Sequence, residues 1–336
     1  MIISSLQYWL VNHPTILHFS WTQGQTPAST PLFLSLILIS YLSLTYILSH
    51  HHLHAIPIPI HILKPISALH NLTLLLLSLI MAIGQTPAST PLFLSLILIS
   101  YLSLTYILSH HHLHAIPIQI LKPISALHNL TLLLLSLIMA IGCTLSSLTL
   151  THPPNYDYII CFPPNTSPSG PLFFWAYIFY LSKILEFGDT LLIILTNSIQ
   201  RLTFLHVYHH ATVLIMCYLW LHTSQSLFPV ALITNALVHL VMYTYYLLCA
   251  MGVRPKWKRL VTNIQIVQFV FSFAISGLML YHHFTGSGCS GIWGWCFNAV
   301  FNASLLALFL DFHAKSYAIA NRKKMMMGPG PKDKGS

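Results

Sequence analysis

Four short stretches of an otherwise apolar chain place ionisable or strongly polar side chains at helical spacing. In KILEFGDT, Lys183, Glu186 and Asp189 recur every three residues, which at about 100° per residue keeps them on roughly one third of a helix surface. An ionisable group in hydrocarbon costs on the order of 3 kcal/mol even on the lenient insertion scale, so such a set is expected to pair internally. A structural ion-pair network and a substrate-binding charge set both fit that spacing. In HVYHHATV, His206, His209 and His210 occupy positions i, i+3 and i+4 and are expected to project from one face near a helix end. A lone membrane histidine is usually an interhelical hydrogen bonder; three at this spacing point to nucleophilic and acid/base chemistry or to a metal site. NALVHLVMYTYYLL aligns Asn235, His239, Met242 and Tyr246 in a stripe flanked by Tyr243 and Tyr245, and TNIQIVQ sets Thr262, Gln265 and Gln268 on one face. Packing accounts for any one of these stripes, whereas four successive helices that carry them toward the same end favour a shared cavity.

The elements that must position these residues are membrane helices. Of 336 residues, 55% are hydrophobic and 6% charged, against roughly a quarter charged in soluble domains, which excludes a water-soluble fold. Apolar runs long enough for a hydrocarbon core of about 30 Å fall at 32–48, 66–83, 91–108, 124–142, 172–195, 204–221, 227–250, 261–283 and 292–313. The expectation is an all-α, polytopic membrane helix bundle with about nine crossings. Lys64, Lys122, Arg201, the Arg254, Lys256, Lys258 and Arg259 cluster and the Lys315 to Lys334 tail then share one side, predicting a cytosolic C-terminus and a lumenal N-terminus. Apart from Lys183, the Lys and Arg residues behind the formal charge of +9 sit in these connections and the tail, which argues against a nucleic-acid face. The first residues lack the basic region and cleavage site of a signal peptide, so the first span is expected to direct insertion. None of the six cysteines has zinc spacing, and no metal is expected. Cys161 and Cys289 map to lumenal loops, where either a disulfide or two free thiols fit, and Asn165-Thr166-Ser167 is a candidate glycosylation acceptor.

A near-perfect repeat occupies the first half. GQTPASTPLFLSLILISYLSLTYILSHHHLHAIPI begins at Gly24 and again at Gly84, ILKPISALHNLTLLLLSLIMAIG follows each copy, and the copies differ only where Pro59-Ile60-His61 is replaced by Gln119. Solenoids use more numerous, divergent repeats, so this pattern reads as a duplicated helical hairpin. The expected division is a lumenal segment at 1–23, the duplicated hairpin at 24–83, a seven-helix domain at 84–314 and a cytosolic basic tail at 315–336.

The motifs resemble those of the ELO family of very-long-chain fatty acid elongases: HNL at His128 to Leu130, KxxExxDT at Lys183 to Thr190, HxxHH at His206 to His210, NxxxHxxMYxYY at Asn235 to Tyr246 and TxxQxxQ at Thr262 to Gln268. The wording around CFPPNTSPSG is similar to plant members. The resemblance covers most of the chain after about Leu121. It implies a seven-helix body in the endoplasmic reticulum membrane, an acyl tunnel and 3-oxoacyl-CoA synthase activity, with long-chain acyl-CoA and malonyl-CoA as substrates and no cofactor. His209 would attack the acyl thioester to form an acyl-imidazole, with His206, His210 and His239 orienting it, moving protons or stabilising the enolate. Lys183, Glu186, Asp189, Asn235, Tyr243, Tyr246, Gln265 and Gln268 would bind substrate. Arg254, Lys256, Lys258 and Arg259 would meet the CoA phosphates or anionic headgroups. The reductases and dehydratase of the elongation cycle are the implied partners, beside the bilayer. Lys332 and Lys334 match a KxKxx retrieval pattern.

Two other classes compete. A membrane di-iron desaturase or hydroxylase also uses HxxHH boxes but needs several, and the triplets His50 to His52 and His110 to His112 fall in expected cytosolic connections. A transporter also tolerates intramembrane charge, yet the repeat here is direct and lies outside the polar helices.

Overall fold

A computed structural model describes residues 2–51, 118–150 and 156–326. The expected spans 66–83 and 91–108, with Lys64, His110 to His112, Lys332 and Lys334, lie outside the described residues. What is described is helical: the short α1 (Ile2–Gln7) and α2 (Pro14–Leu17), then α3 (Pro31–His51), α4 (Ile118–Leu150), α5 (Pro171–Leu185), α6 (Phe187–Leu195), α7 (Phe204–His222), α8 (Phe228–Ala250), α9 (Lys258–Thr285) and α10 (Ile292–Met326). Among them α4, α7, α8, α9 and the 292–316 part of α10 are long and apolar enough to cross a membrane. The protein is an all-α polytopic membrane bundle.

Local sequence explains the boundaries. Proline opens the first turn of α5 and of α8, where its missing N–H leaves no helical bond unmade. Thr203 caps α7 by accepting from the His206 N–H at 3.3 Å. Within α4, the hydroxyls of Ser136, Thr144, Ser146 and Ser147 donate to carbonyls four residues back at 2.7–2.8 Å, which satisfies these donors within the helix itself. α4 packs along α8 as the most extensive helix pair. Gly142 of α4 provides the space for the Trp175 indole, which a side chain at that position would meet directly.

Where the apolar pattern of 172–195 reads as one span, the chain turns at Glu186 and becomes two helices, α5 and α6. The Asp189 N–H reaches only to the Glu186 carbonyl, three residues back, a tighter turn than the α-helix makes. α5 is the centre of the core: Phe173, Trp175, Ala176, Phe179 and Tyr180 are all buried, and Phe179 stacks on Trp220 of α7 with centroids 5.6 Å apart.

The N-terminal segment is threaded into this core. Ser20 pairs with Ser169 as an isolated antiparallel bridge. The Trp21 N–H donates to Pro168 O at 2.9 Å, the Gly170 N–H to Phe19 O at 2.8 Å, and the Trp175 indole to Leu10 O at 2.9 Å. Tyr180 and Tyr218 donate to the carbonyls of Ala28 and Ser29, each at 3.2 Å. At the same end the connections before α5, α8 and α10 meet: Phe162 N–H donates to Ser226 Oγ at 3.0 Å, Ser226 Oγ to Ser290 O at 3.0 Å, and Ser290 N–H to Phe162 O at 2.9 Å. Cys161 and Cys289 are joined there by a disulfide across a sequence separation of 128 residues. Cross-linking so long a loop restricts the unfolded chain, so Cys289→Ser is expected to cost about 2–4 kcal/mol, read as a lower midpoint of thermal unfolding in detergent; reductant should lower the native protein's midpoint similarly and leave the variant's unchanged.

Candidate active site

The turn at Glu186 sends the polar residues of one motif in different directions. Lys183 and Glu186 are 1% and 2% exposed, and the Lys183 ammonium donates to Glu186 Oε1 at 2.6 Å. The pairing expected of these two is present. The same ammonium lies 4.1 Å from the Phe179 ring centre and 3.5 Å from Asn235 Oδ1 of α8, while Glu186 Oε1 lies 3.4 Å from His239 Nδ1. A pair this deep holds together only when further hydrogen bonds share its charge.

Asp189 does not join them, contrary to a single charged face. Its Oδ1 stands 3.1 Å from His128 Nε2 on α4, and its Oδ2 accepts from the Tyr243 hydroxyl of α8 at 2.9 Å. The carboxylate therefore ties α6 to both members of the α4–α8 pair. Gly188 makes the approach possible, because a Cβ there would lie 2.7 Å from His128 Cε1. Thr190 takes a third direction: its Oγ1 is 2.8 Å from His206 Nε2 on α7 and 3.1 Å from the Tyr41 hydroxyl on α3.

HxxHH divides as well. His206 and His210, one turn apart, have ring centroids 4.4 Å from each other, and His210 lies 6.4 Å from the Phe187 ring and 6.5 Å from Tyr41. His209 instead lines a narrow cavity with Phe179 of α5, Val213 and Met216 of α7, Asn235 of α8, Gln268 and Phe269 of α9, and Asn298 and Asn302 of α10. Of the three histidines only His209 reaches it. The free volume is about 40 Å³, so the seam is narrow and largely filled by its own side chains. The cavity runs from His209 toward Trp220 near the disulfide end of α7.

His209, Asn235 and Gln268 thus meet at the cavity, with Lys183, Glu186 and His239 behind Asn235. Tyr243 is engaged by Asp189, Tyr246 packs on Tyr243 with centroids 6.1 Å apart, and Gln265 donates to Met242 Sδ at 3.6 Å; none of these three lines the cavity. Arg254, Lys256, Lys258 and Arg259 are exposed at the α8–α9 connection, the end of α8 that carries Tyr246. Among the described residues no three His, Cys, Asp or Glu side chains converge as metal ligands would. Beside the site, Glu186 Oε2, His210 Nδ1 and the Trp220 indole N–H are buried with no hydrogen-bond partner among the described residues. Such atoms cost about 1–3 kcal/mol when left unmatched and mark places where water or substrate can bond.

Sequence reasoning passes over Thr190 and His128, although both stand inside quoted motifs, because their importance depends on what faces them. Asn298 and Asn302 repeat at i, i+4 in an apolar helix, the same signal that singles out Gln265 and Gln268; Asn302 donates to Ser272 Oγ at 3.3 Å. For Tyr41 the sequence carries no signal, since its partner lies 149 residues away.

Residues 86–325 match the family described as ELO: GNS1/SUR4. The chain is 35% identical over 239 residues to Fatty acid elongase A of Dictyostelium discoideum, which covers 69% of this chain and 85% of that protein. It is 26% identical over 334 residues to Fatty acid elongase 3-like of Arabidopsis thaliana, covering 96% and 95% of the two chains. Very long chain fatty acid elongase 2 of Mus musculus is 32% identical over 232 residues, covering 64% and 74%.

The buried pair makes a direct prediction about stability. Lys183→Met leaves the Glu186 carboxylate without its main counter-charge and is expected to cost about 3–5 kcal/mol, whereas Lys183→Met with Glu186→Leu should recover most of that loss. Thermal unfolding of the purified variants in detergent reads the difference; a double variant no better than the single would contradict it.

Proposed function

The chain belongs to the ELO, GNS1/SUR4, family, and on that premise we propose that it is the condensing enzyme of fatty acid elongation, joining a long-chain acyl-CoA to two carbons of malonyl-CoA to give 3-oxoacyl-CoA, CO2 and CoA. The observation that carries this reading is the position of His209, the one HxxHH histidine on the cavity wall, beside Asn235 and Gln268 and in front of the buried Lys183–Glu186–His239 network.

The chemistry follows in two half-reactions. The His209 imidazole attacks the thioester carbonyl, the C–S bond breaks, and CoA leaves as its thiol with the proton that the acylated imidazole gives up. Malonyl-CoA then loses CO2, and the electron pair of the broken C–C bond becomes an enolate. Its carbon attacks the acyl-imidazole carbonyl, the C–N bond breaks, and the departing imidazole takes up a proton from solvent, which restores His209. Splitting the reaction lowers each barrier, and a narrow, largely filled cavity leaves little room for water beside the acyl-imidazole and the enolate. Asn235 and Gln268 are suited to donate hydrogen bonds to a thioester oxygen as charge develops on it. The acyl chain enters the seam toward Trp220 by displacing Met216, Phe269 and neighbouring side chains, so the cavity opens with its occupant. Arg254, Lys256, Lys258 and Arg259 are the candidates for holding the CoA phosphates at the mouth. This reading puts the basic end in the cytosol and the disulfide end in the lumen of the endoplasmic reticulum, with the reductases and dehydratase of the cycle consuming the product; no cofactor enters the two half-reactions.

Membranes containing the protein, given labelled malonyl-CoA and a range of long-chain acyl-CoA primers, are expected to form labelled 3-oxoacyl-CoA. His209→Ala should reduce the rate by at least about 10³-fold, whereas no incorporation with any primer by the unaltered protein overturns the proposal.

A further inference from the structure

The duplication offers two identical candidates for the helix that closes the site. Tyr41 in the first copy and Tyr101 in the second stand in the same sequence, SYLSLTYILS, and the family match, which begins at residue 86, spans the second. The geometry points to the first: we propose that Tyr41, and not Tyr101, is the positioning residue that orients His206 of the HxxHH motif, acting through Thr190. The described body then takes its leading helix from copy one and the next described helix, with His128, from copy two. This inference rests on the condensing-enzyme reading for its activity readout.

Two sets of contacts support it. The first is the chain Tyr41 OH to Thr190 Oγ1 at 3.1 Å and Thr190 Oγ1 to His206 Nε2 at 2.8 Å, with the Tyr41 ring stacked on Phe187 at 4.0 Å and an interplanar angle of 13°. A phenol is a better donor than an aliphatic alcohol. Tyr41 also hydrogen-bonds Thr45; taking Thr190 as the acceptor of the phenol proton, the single Thr190 proton is directed to His206 Nε2, which places the His206 ring proton on Nδ1. Both the tautomer and the rotation of a ring that packs on His210 are thereby set, as an outer hydrogen bond sets a ligand histidine.

The second set explains why copy one is selected. The residues before Gly24 are not duplicated, and several of them are bound to the body: Leu10 to the Trp175 indole, Phe19 to Gly170, Trp21 to Pro168 and Ser20 to Ser169. Ala28 and Ser29 continue that attachment through Tyr180 and Tyr218. A helix leading directly out of this segment has its position fixed, whereas the second copy is preceded in sequence by Met81-Ala82-Ile83. By the same logic α4 comes from copy two, because that copy runs without a break into Cys143, whose thiol faces the Pro229 carbonyl of α8 at 3.9 Å.

The test compares Tyr41→Phe with Tyr101→Phe in the full-length protein, each keeping an aromatic ring, and measures kcat and KM for acyl-CoA. Tyr41→Phe is expected to lower kcat roughly three- to tenfold, the worth of one net hydrogen bond, with KM unchanged, while Tyr101→Phe matches the unaltered protein. Combining Tyr41→Phe with Thr190→Val should lose no more than Thr190→Val alone, since both act through one chain, and Thr190→Ser should retain more activity than Thr190→Val. Loss with Tyr101→Phe but not Tyr41→Phe, loss with neither, or additive losses at Tyr41 and Thr190 would overturn the proposal. An unaltered protein that forms no 3-oxoacyl-CoA would instead overturn the condensing reading; the inference about Tyr41 would then be rejected if Tyr41→Phe and Tyr101→Phe lower the midpoint of thermal unfolding equally.

Discussion

A lysine and a glutamate 2.6 Å apart, almost wholly removed from solvent inside a membrane bundle, impose conditions on everything around them. Their charges are sustainable there only if other groups complete the hydrogen bonding. The Phe179 ring face and the Asn235 amide oxygen share the Lys183 charge and the His239 imidazole faces Glu186 Oε1, while Glu186 Oε2 has no partner among the described residues. Those partners come from α5 and α8, so the pair fixes how these two helices sit together. The cavity lies on the far side of the same residues, with Phe179 and Asn235 in its wall. Stability and site geometry therefore rest on one network, and neither can be altered without the other.

From that anchor the remaining polar contacts radiate along the chain. The turn after Glu186 rotates Asp189 toward His128 and Tyr243, and Thr190 toward His206 and Tyr41. One eight-residue motif, Lys183 to Thr190, thus makes side-chain bonds to α3, α4, α7 and α8. A rigid shell of this kind is what holds a reacting imidazole within the small angular range that catalysis tolerates. The division of HxxHH follows from it: His206 is held by Thr190, His210 packs behind it, and His209 is left facing the cavity.

Much of this was legible before any coordinates. Extreme apolarity and long apolar runs predict an all-α membrane bundle, and expected spans such as 204–221, 227–250 and 261–283 differ from α7, α8 and α9 by three residues or fewer. The residues that matter inside the membrane also announce themselves, because charge in hydrocarbon needs a reason. What was not legible is direction. Helical spacing places Lys183, Glu186 and Asp189 on one face of an unbroken helix, but a single tight turn at Glu186 separates Asp189 from the others. Spacing likewise groups His206, His209 and His210, whereas about 60° of rotation between i and i+3 is enough to put His209 on a different surface from His206. Tyr41 was invisible because an identical tyrosine recurs at 101, and only the contacts of the unduplicated residues before it distinguish the two.

The functional account comes down to which atom carries the acyl group between the half-reactions. Incubating purified protein with a long-chain acyl-CoA in the absence of malonyl-CoA, quenching rapidly and mapping peptides by mass spectrometry reads this directly. The account predicts one acyl group per chain on the peptide containing His209, formed together with stoichiometric CoA and discharged on adding malonyl-CoA. An acyl group on another residue, or product formation from both substrates with no acyl-protein at any time, would contradict it.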